Sequence, residues 1–114
     1  MALDKTALAS IQEIDPDGSL GLIKDLVQKF TRSIQPELKE LEKYHEANLT
    51  DQLALSAHRF KSSCQNVGAN EMAKLLSQLE VEKNTLTTLQ RDAILIEIKN
   101  LAKSAAFELQ ALVQ

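Results

Sequence analysis

The chain has 114 residues, of which 44% are hydrophobic and 25% charged, the size and composition of one globular domain. Its net charge of −3 provides no basic field to attract a phosphate backbone, so we expect no nucleic-acid partner. The single cysteine, Cys64, excludes an internal disulfide, and we find neither a leader-like segment nor an apolar run of membrane-spanning length. We therefore expect one cytoplasmic domain covering residues 1–114, with no membrane contact.

The sequence also argues against nucleotide and metal chemistry. Gly18, Gly21 and Gly68 are too far apart to form a glycine-rich phosphate loop. His45 and His58 are too far apart to form a metal-binding pair on one helical turn, and no CxxC, HExxH or calcium-loop motif occurs. We expect no cofactor and no metal site in this chain.

Scarce glycine and proline, together with abundant Leu, Ala, Lys, Glu and Gln, indicate an all-helical protein. Asp4 is the predicted cap of a short first helix, which ends at the turn residues 15–18. This helix carries three apolar residues, Leu8, Ile11 and Ile14. Ser19 is the predicted N-cap of the next helix.

The second helix is predicted from apolar residues spaced three or four apart, namely Ile23, Val27, Phe30, Ile34, Leu38, Leu41 and Tyr44. The spacing continues across Pro36, which has no N–H to donate to the carbonyl of Arg32. We predict one long, kinked helix, although two nearly collinear helices would give the same pattern. Residues 48–50 form the next connection.

Thr50 is the predicted cap of a third helix with the core stripe Leu53, Ala57, Phe60, Cys64 and Val67. Gly68 follows this stripe, where a left-handed glycine would end the helix. Asn70 is the predicted cap of a fourth helix, which turns Met72, Leu75, Leu76 and Leu79 inward.

Residues 84–88 form the last predicted loop. The final helix then places apolar residues on one face: Ile94, Ile98, Leu101, Ala105, Leu109 and Leu112. Its charged residues are read as a solvated face: Arg91, Glu97, Lys99, Lys103 and Glu108. The predicted fold is all-α, an antiparallel four-helix bundle with a short extra N-terminal helix. Because each helix has one core stripe, we expect a monomer.

His58 is the residue most suited to chemistry. At about 100° per residue, its side chain lies about 140° from the centre of the core stripe, so we expect it to be exposed. Lys61 and Gln65 follow on the same side, with Ser62 beside them. A neutral imidazole is a nucleophile near pH 7, an ammonium one turn away pairs with phosphoryl oxygens, and a small neighbour leaves room for an in-line approach.

The run A-H-R-F-K-S-S-C-Q-N-V-G-A at residues 57–69, with the later Leu79-Glu80 pair, resembles the histidine-containing phosphotransfer (HPt) domain family. That family has His, an apolar residue two positions on, Lys, small residues and a Gly-Ala step. Phe60 stands where Leu is usual and Ser62 where Gly is commonest, and both keep the apolar or small character of their positions. The resemblance extends over nearly the whole chain.

The resemblance implies a phosphorelay carrier in two-component signal transduction. His58 would accept a phosphoryl group from an aspartate of a receiver domain and pass it to another receiver. Lys61 would hold phosphoryl oxygens, and Gln65 would hydrogen-bond near the imidazole or the phosphate. The partners would be receiver domains of response regulators or of a hybrid histidine kinase. The receiver would bring Mg²⁺ and the catalytic carboxylates, so the domain itself would be no kinase.

Two other functions remain open from the residues alone. A histidine-kinase dimerisation domain also exposes a helical His, but it has an acidic residue where Arg59 stands and a proline a few residues later. A non-catalytic adaptor bundle would leave His58 and Lys61 as ordinary solvated residues. Cys64 lies on the core stripe, which predicts a buried, unreactive thiol. His45 is read as a solvated residue without function.

Overall fold

A computed structural model describes residues 3–113, and all of their regular secondary structure is helical. A 3₁₀ turn, Lys5–Leu8, leads into the short helix α1, Ala9–Ile14. Four longer helices follow: α2, Leu22–Glu46; α3, Thr50–Asn66; α4, Asn70–Val81; and α5, Thr88–Leu112. The predicted helical bundle with a short N-terminal helix is therefore confirmed.

The bundle closes through four helix pairs. Helix α2 packs on α3, α3 on α4, α4 on α5, and α5 returns to α2. The connections are short, which makes successive helices antiparallel neighbours. The pair α3 and α4 has the most extensive contact, so these two helices form the rigid element on which His58 stands.

The core is formed by the predicted stripes. Phe60 and Cys64 on α3 are completely buried, and the ring of Phe60 lies 6.3 Å from that of Phe30 on α2, centroid to centroid. Apolar residues from every long helix complete the cluster: Val27, Leu41, Leu53, Met72, Leu76, Leu79, Ile98 and Leu109. Burial of this surface, at roughly 25 cal/mol per Å², is the main term that holds the helices together.

Helix α2 runs without interruption from Leu22 to Glu46, with Pro36 inside it. The prediction of one long helix is confirmed over the alternative of two collinear helices. Burial of Ile34, Leu38 and Leu41 on both sides of Pro36 offsets the hydrogen bond lost at that residue. The bend expected there stays a prediction.

Three predicted helix caps are wrong. Helix α2 begins at Leu22, after Gly21 in a left-handed conformation, and not after Ser19. The buried carboxylate of Asp15 caps this region instead, accepting hydrogen bonds from the backbone N–H groups of Leu20 and Leu22. Sequence reasoning assigned Asp15 only to a turn, because its partners become neighbours only when the chain folds back.

Thr50 and Asn70 were also predicted as caps, and each is instead the first residue of its helix. The N-cap positions are Leu49 and Ala69, with no side-chain cap bond at either. The amide of Asn70 donates to Oδ2 of Asp4 at 3.1 Å, so it anchors the N-terminal segment rather than the start of α4.

The step between α3 and α4 requires glycine, as predicted. Gly68 has a φ of +79°, and a Cβ there would collide with the backbone carbonyl oxygen of Asp4. The N–H of Asp4 donates to the carbonyl of Gly68 at 2.6 Å. The N-terminal segment is therefore packed directly on the α3–α4 turn.

Some predicted exposures are also wrong. Leu112, assigned to the apolar face of the last helix, is half exposed; it is the last residue of α5. Arg91, assigned to a solvated face, is buried. Its guanidinium donates to the carbonyl of Leu86 and to the side chain of Asn48, which ties α5 to two connecting segments. Glu97, Lys99 and Lys103 are exposed as predicted, and Glu108 is half-buried.

Candidate functional site

His58 lies in the middle of α3 with 57% of its side chain exposed, which confirms the predicted exposure. Its neighbours Ala57 and Phe60 are completely buried and fix the rotation of the helix. The imidazole therefore stands on the outer surface of the α3–α4 pair, on a backbone held by the core.

Glu80 on α4 holds both His58 and Lys61. Its Oε2 lies 2.6 Å from Nδ1 of His58, and its Oε1 lies 2.7 Å from Nζ of Lys61. One carboxylate thus joins the two residues of α3 that sequence analysis placed one helical turn apart. The structure brings His58 and Lys61 together as predicted, and α4 adds Glu80, which was not predicted as part of the site.

The hydrogen bond from Lys61 has the largest effect on the pKa of Glu80 and holds it below its ordinary value; burial opposes this, and the hydrogen bond with His58 adds a smaller lowering. Glu80 is consequently ionised at neutral pH and can only accept hydrogen bonds. The proton between Glu80 and His58 therefore belongs to Nδ1. In the neutral ring this leaves the lone pair on Nε2.

Lys61 is less exposed than His58 and Glu80, with 19% of its side chain accessible. Its aliphatic stem is covered by the helix pair while its ammonium reaches Glu80. The ammonium and the imidazole are therefore bound to the two oxygens of one carboxylate.

Ser62 is exposed beside His58, and its hydroxyl makes only a long bond of 3.4 Å to the His58 carbonyl oxygen. Gln65 is exposed one turn beyond Lys61 and shares a surface cavity with it. Among residues 3–113, no hydrogen bond joins Gln65 to His58. The structure thus places Ser62 and Lys61 near His58, and it places Gln65 further along α3.

Cys64 is fully buried, and burial raises the pKa of its thiol to about 12, with the charge of Glu37 adding to the effect. A thiol so reluctant to ionise is a poor nucleophile. The prediction of a buried core residue is confirmed, and the unreactive thiol stays a prediction.

His45 is not the solvated residue that the sequence suggested. Only 9% of its side chain is accessible, and its Nε2 pairs with the carboxylate of Asp92 on α5. Asp92 is 47 residues away along the chain, so no local pattern indicates this contact. His45 thus joins α2 to α5.

In the described part of the chain, no group of three or more His, Cys, Asp or Glu side chains is arranged to hold a metal ion. Over the same residues, no helix combines the length and the apolar character needed to cross a membrane.

Glu80 is the member of the site to which sequence reasoning gave no role. It was noted only as part of the Leu79-Glu80 pair. The sequence contained one indication of this position: Leu79 is a core residue, and the residue that follows a core residue on a packed helix lies at the edge of the interface. That edge faces α3 only once the Gly68 turn has set the two helices side by side.

No curated protein matches the chain in sequence. The crystal structure of histidine-containing phosphotransfer protein B (HptB) from Pseudomonas aeruginosa PAO1 is similar, with a TM-score of 0.83 and 23% identity over 96% of this chain and 92% of that one. At this identity the likeness shows a shared fold. The family model of the Hpt domain matches residues 25–113, which include all of α3 and α4. Because that match spans most of the sequence and contains the whole His58 site, the chain belongs to the Hpt domain family.

Proposed function

We propose that this domain is a phosphorelay carrier that accepts a phosphoryl group on Nε2 of His58 from an aspartyl phosphate of a receiver domain and returns it to the aspartate of another. The observation that carries the proposal is the pairing of an exposed imidazole with an ionised carboxylate at its Nδ1. This pairing makes Nε2 the nucleophilic atom and points it away from α4.

The transfer needs no proton movement. The Nε2 lone pair forms the N–P bond while the P–O bond to the receiver's aspartate breaks, and its electron pair remains on the carboxylate that leaves. The ring keeps its Nδ1 proton and becomes positively charged. Oε2 of Glu80 lies 2.6 Å from Nδ1, so the carboxylate stabilises the charge as it develops. The reverse sequence of bond changes passes the group to the next aspartate.

Lys61 supports the phosphoryl oxygens in this proposal. Its ammonium is bound to one oxygen of Glu80, and His58 is bound to the other oxygen of the same carboxylate. A phosphoryl group on Nε2 brings further anionic oxygens to the same ammonium, and charge-assisted bonds to them are the strong kind. Lys61 therefore acts on the phosphoryl group, and Glu80 acts on the ring.

The surface around His58 suits the approach of another protein. Leu55, one turn before His58 on the same face of α3, is 68% exposed, and the small Ser62 lies one turn after it. An exposed apolar residue next to an unobstructed nucleophile favours docking of a folded partner. The proposal assigns the Mg²⁺ and the catalytic carboxylates to the receiver domain, and the absence of a cofactor in this chain stays a prediction.

The test is transfer of label from receiver domains phosphorylated with ³²P. The wild-type domain should take up label that is acid-labile and alkali-stable, whereas His58→Gln should take up none. His45→Gln is the matched control and should be labelled as the wild type is. Label on His58→Gln, or none on the wild type from any receiver of the source organism, would refute the proposal. Label acquired from ATP alone would favour a kinase.

A further inference from the structure

Next to the His58 site, α3 and α4 enclose an open notch of about 370 Å³. It runs from Lys61 towards the α3–α4 turn, away from Glu80. Polar side chains dominate its lining, which consists of Lys61, Gln65, Asn70, Ala73, Lys74 and Ser77. Because Lys61 lines the notch and also binds Glu80 of the His58 site, the notch adjoins the surface on which a partner of His58 must dock.

The charge of the notch is opposite to that of the chain. Its lining contains two lysines and no carboxylate, in a protein with a net charge of −3. The ammonium of Lys61 is engaged by Glu80. Lys74 is exposed, and within residues 3–113 no carboxylate lies within 4 Å of its ammonium. Lys74 is therefore the positive charge that the notch offers to a ligand.

The neutral lining adds hydrogen-bond donors. The amide of Gln65 and the hydroxyl of Ser77 face the notch, and neither has a hydrogen-bond partner among the side chains that the structure describes. Asn70 is committed to Asp4 at the far end. An ammonium, an amide and a hydroxyl around one notch provide hydrogen-bond donors for a carboxylate.

From these features we infer that the notch receives an acidic side chain of the receiver domain, and that Lys74 determines the strength of docking. The inference rests on the proposed function, since it concerns the partner of the same site. Lys74 precedes Glu80 by six residues, or about 9 Å along the helix axis, which separates it from the reacting atoms. A charge at the rim of an interface acts mainly on the rate of association.

The test compares Lys74→Glu with Lys103→Glu, a matched charge reversal at an exposed lysine of α5. With a phosphorylated receiver at low salt, Lys74→Glu should lower the second-order rate constant of transfer about tenfold, and Lys103→Glu less than twofold. The difference should shrink in 0.5 M salt, because salt screens exposed charges. Lys74→Gln should give an intermediate rate. Circular dichroism should show unchanged helix content in all three variants.

Phosphorylation by the small donor phosphoramidate separates docking from chemistry. Lys74→Glu should be labelled by it at the wild-type rate. An equal loss with receiver and small donor would place Lys74 in the chemistry and overturn the inference. If Lys74→Glu accepted the phosphoryl group at the wild-type rate from every active receiver, the inference would also be wrong, while the proposed function would stand. If inorganic phosphate alone saturates the notch and slows transfer competitively, the notch binds free anions and the inference is wrong. Failure of all labelling of His58 would refute the proposed function itself.

Discussion

The carboxylate of Glu80 accepts a hydrogen bond from Nδ1 of His58 at 2.6 Å, across the interface between α4 and α3. The second oxygen of the same carboxylate binds Lys61 at 2.7 Å. Glu80 therefore fixes the tautomer of the imidazole and the position of the ammonium together. A single side chain outside α3 thus holds two residues of α3 in place.

Replacing Glu80 by Gln should slow phosphotransfer about ten- to a hundredfold. The amide keeps the shape of the side chain but loses the charge that stabilises the ring, and a hydrogen bond to a charged group contributes roughly 1.5–3 kcal/mol. Transfer kinetics measure the loss. In ¹⁵N spectra of the neutral ring, the wild type should hold its proton on Nδ1, and Glu80→Gln should populate both tautomers. An unchanged tautomer with an unchanged rate would contradict this role.

The same variant has a pH signature. The pKa of Glu80 is lowered in the folded state, mainly by Lys61. Its ionised form therefore stabilises the fold at any pH above the pKa that Glu80 has in the unfolded chain. This stabilisation is lost as the pH falls through the lower pKa of the folded state. Urea titrations should find the wild type more stable than Glu80→Gln at pH 7. The free energies of unfolding of the two proteins should converge in acid. A difference that increased on acidification would contradict this prediction.

Replacing Lys61 by Ala should slow transfer without abolishing it. One charge-assisted contact to phosphoryl oxygen contributes roughly 1.5–3 kcal/mol, which corresponds to a ten- to hundredfold loss if the contact strengthens in the transition state. His58 and Glu80 remain to carry the chemistry. Rapid-quench measurements with a labelled receiver test this. Complete loss of transfer in Lys61→Ala would mean that Lys61 is indispensable. Transfer at the wild-type rate would mean that Lys61 is not part of the site.

Replacing Ser62 by Trp should obstruct the receiver while leaving the fold intact. Ser62 is exposed beside His58 and outside the core, so an indole there occupies the approach to the imidazole. Transfer should weaken with every receiver, and the melting temperature should stay near that of the wild type. Undiminished transfer would mean that partners approach from another side of α3.

Replacing Gly68 by Ala should destabilise the fold more than replacing Gly18 by Ala. Both glycines have a left-handed φ, which costs an L-residue roughly 1–2 kcal/mol. Gly18 has open space around it, whereas a Cβ at Gly68 meets the Asp4 backbone. Because overlap adds roughly 1–3 kcal/mol, urea unfolding should give the larger loss for Gly68→Ala. Equal losses would mean that the N-terminal segment does not pack on this turn.

The long helices and the exposure of His58 could be predicted because both follow from local periodicity. The stripe that buries Ala57 and Phe60 fixes where His58 faces, whatever the rest of the chain does. Contacts between helices have no such period. The partners of His45 and Arg91, and the link from Glu80 to His58, depend on which helices become neighbours, so the sequence alone left them unassigned.

The capping errors have a related cause. Ser19, Thr50 and Asn70 are residue types that favour N-caps, and propensity alone selects them. In the folded chain, Asp15 binds the backbone near the start of α2, and Asn70 turns to Asp4. At these two places, hydrogen bonds that depend on how the chain folds take the place of the cap bonds that the residue types predict.

The most direct measurement is NMR of the ¹⁵N-labelled domain after phosphorylation by a receiver, which identifies the nitrogen bonded to phosphorus. We predict ³¹P–¹⁵N coupling at Nε2 of His58 and a retained proton on Nδ1, since Glu80 occupies the Nδ1 side of the ring. Phosphorus bonded to Nδ1 of His58, or carried by any other residue, would contradict the account.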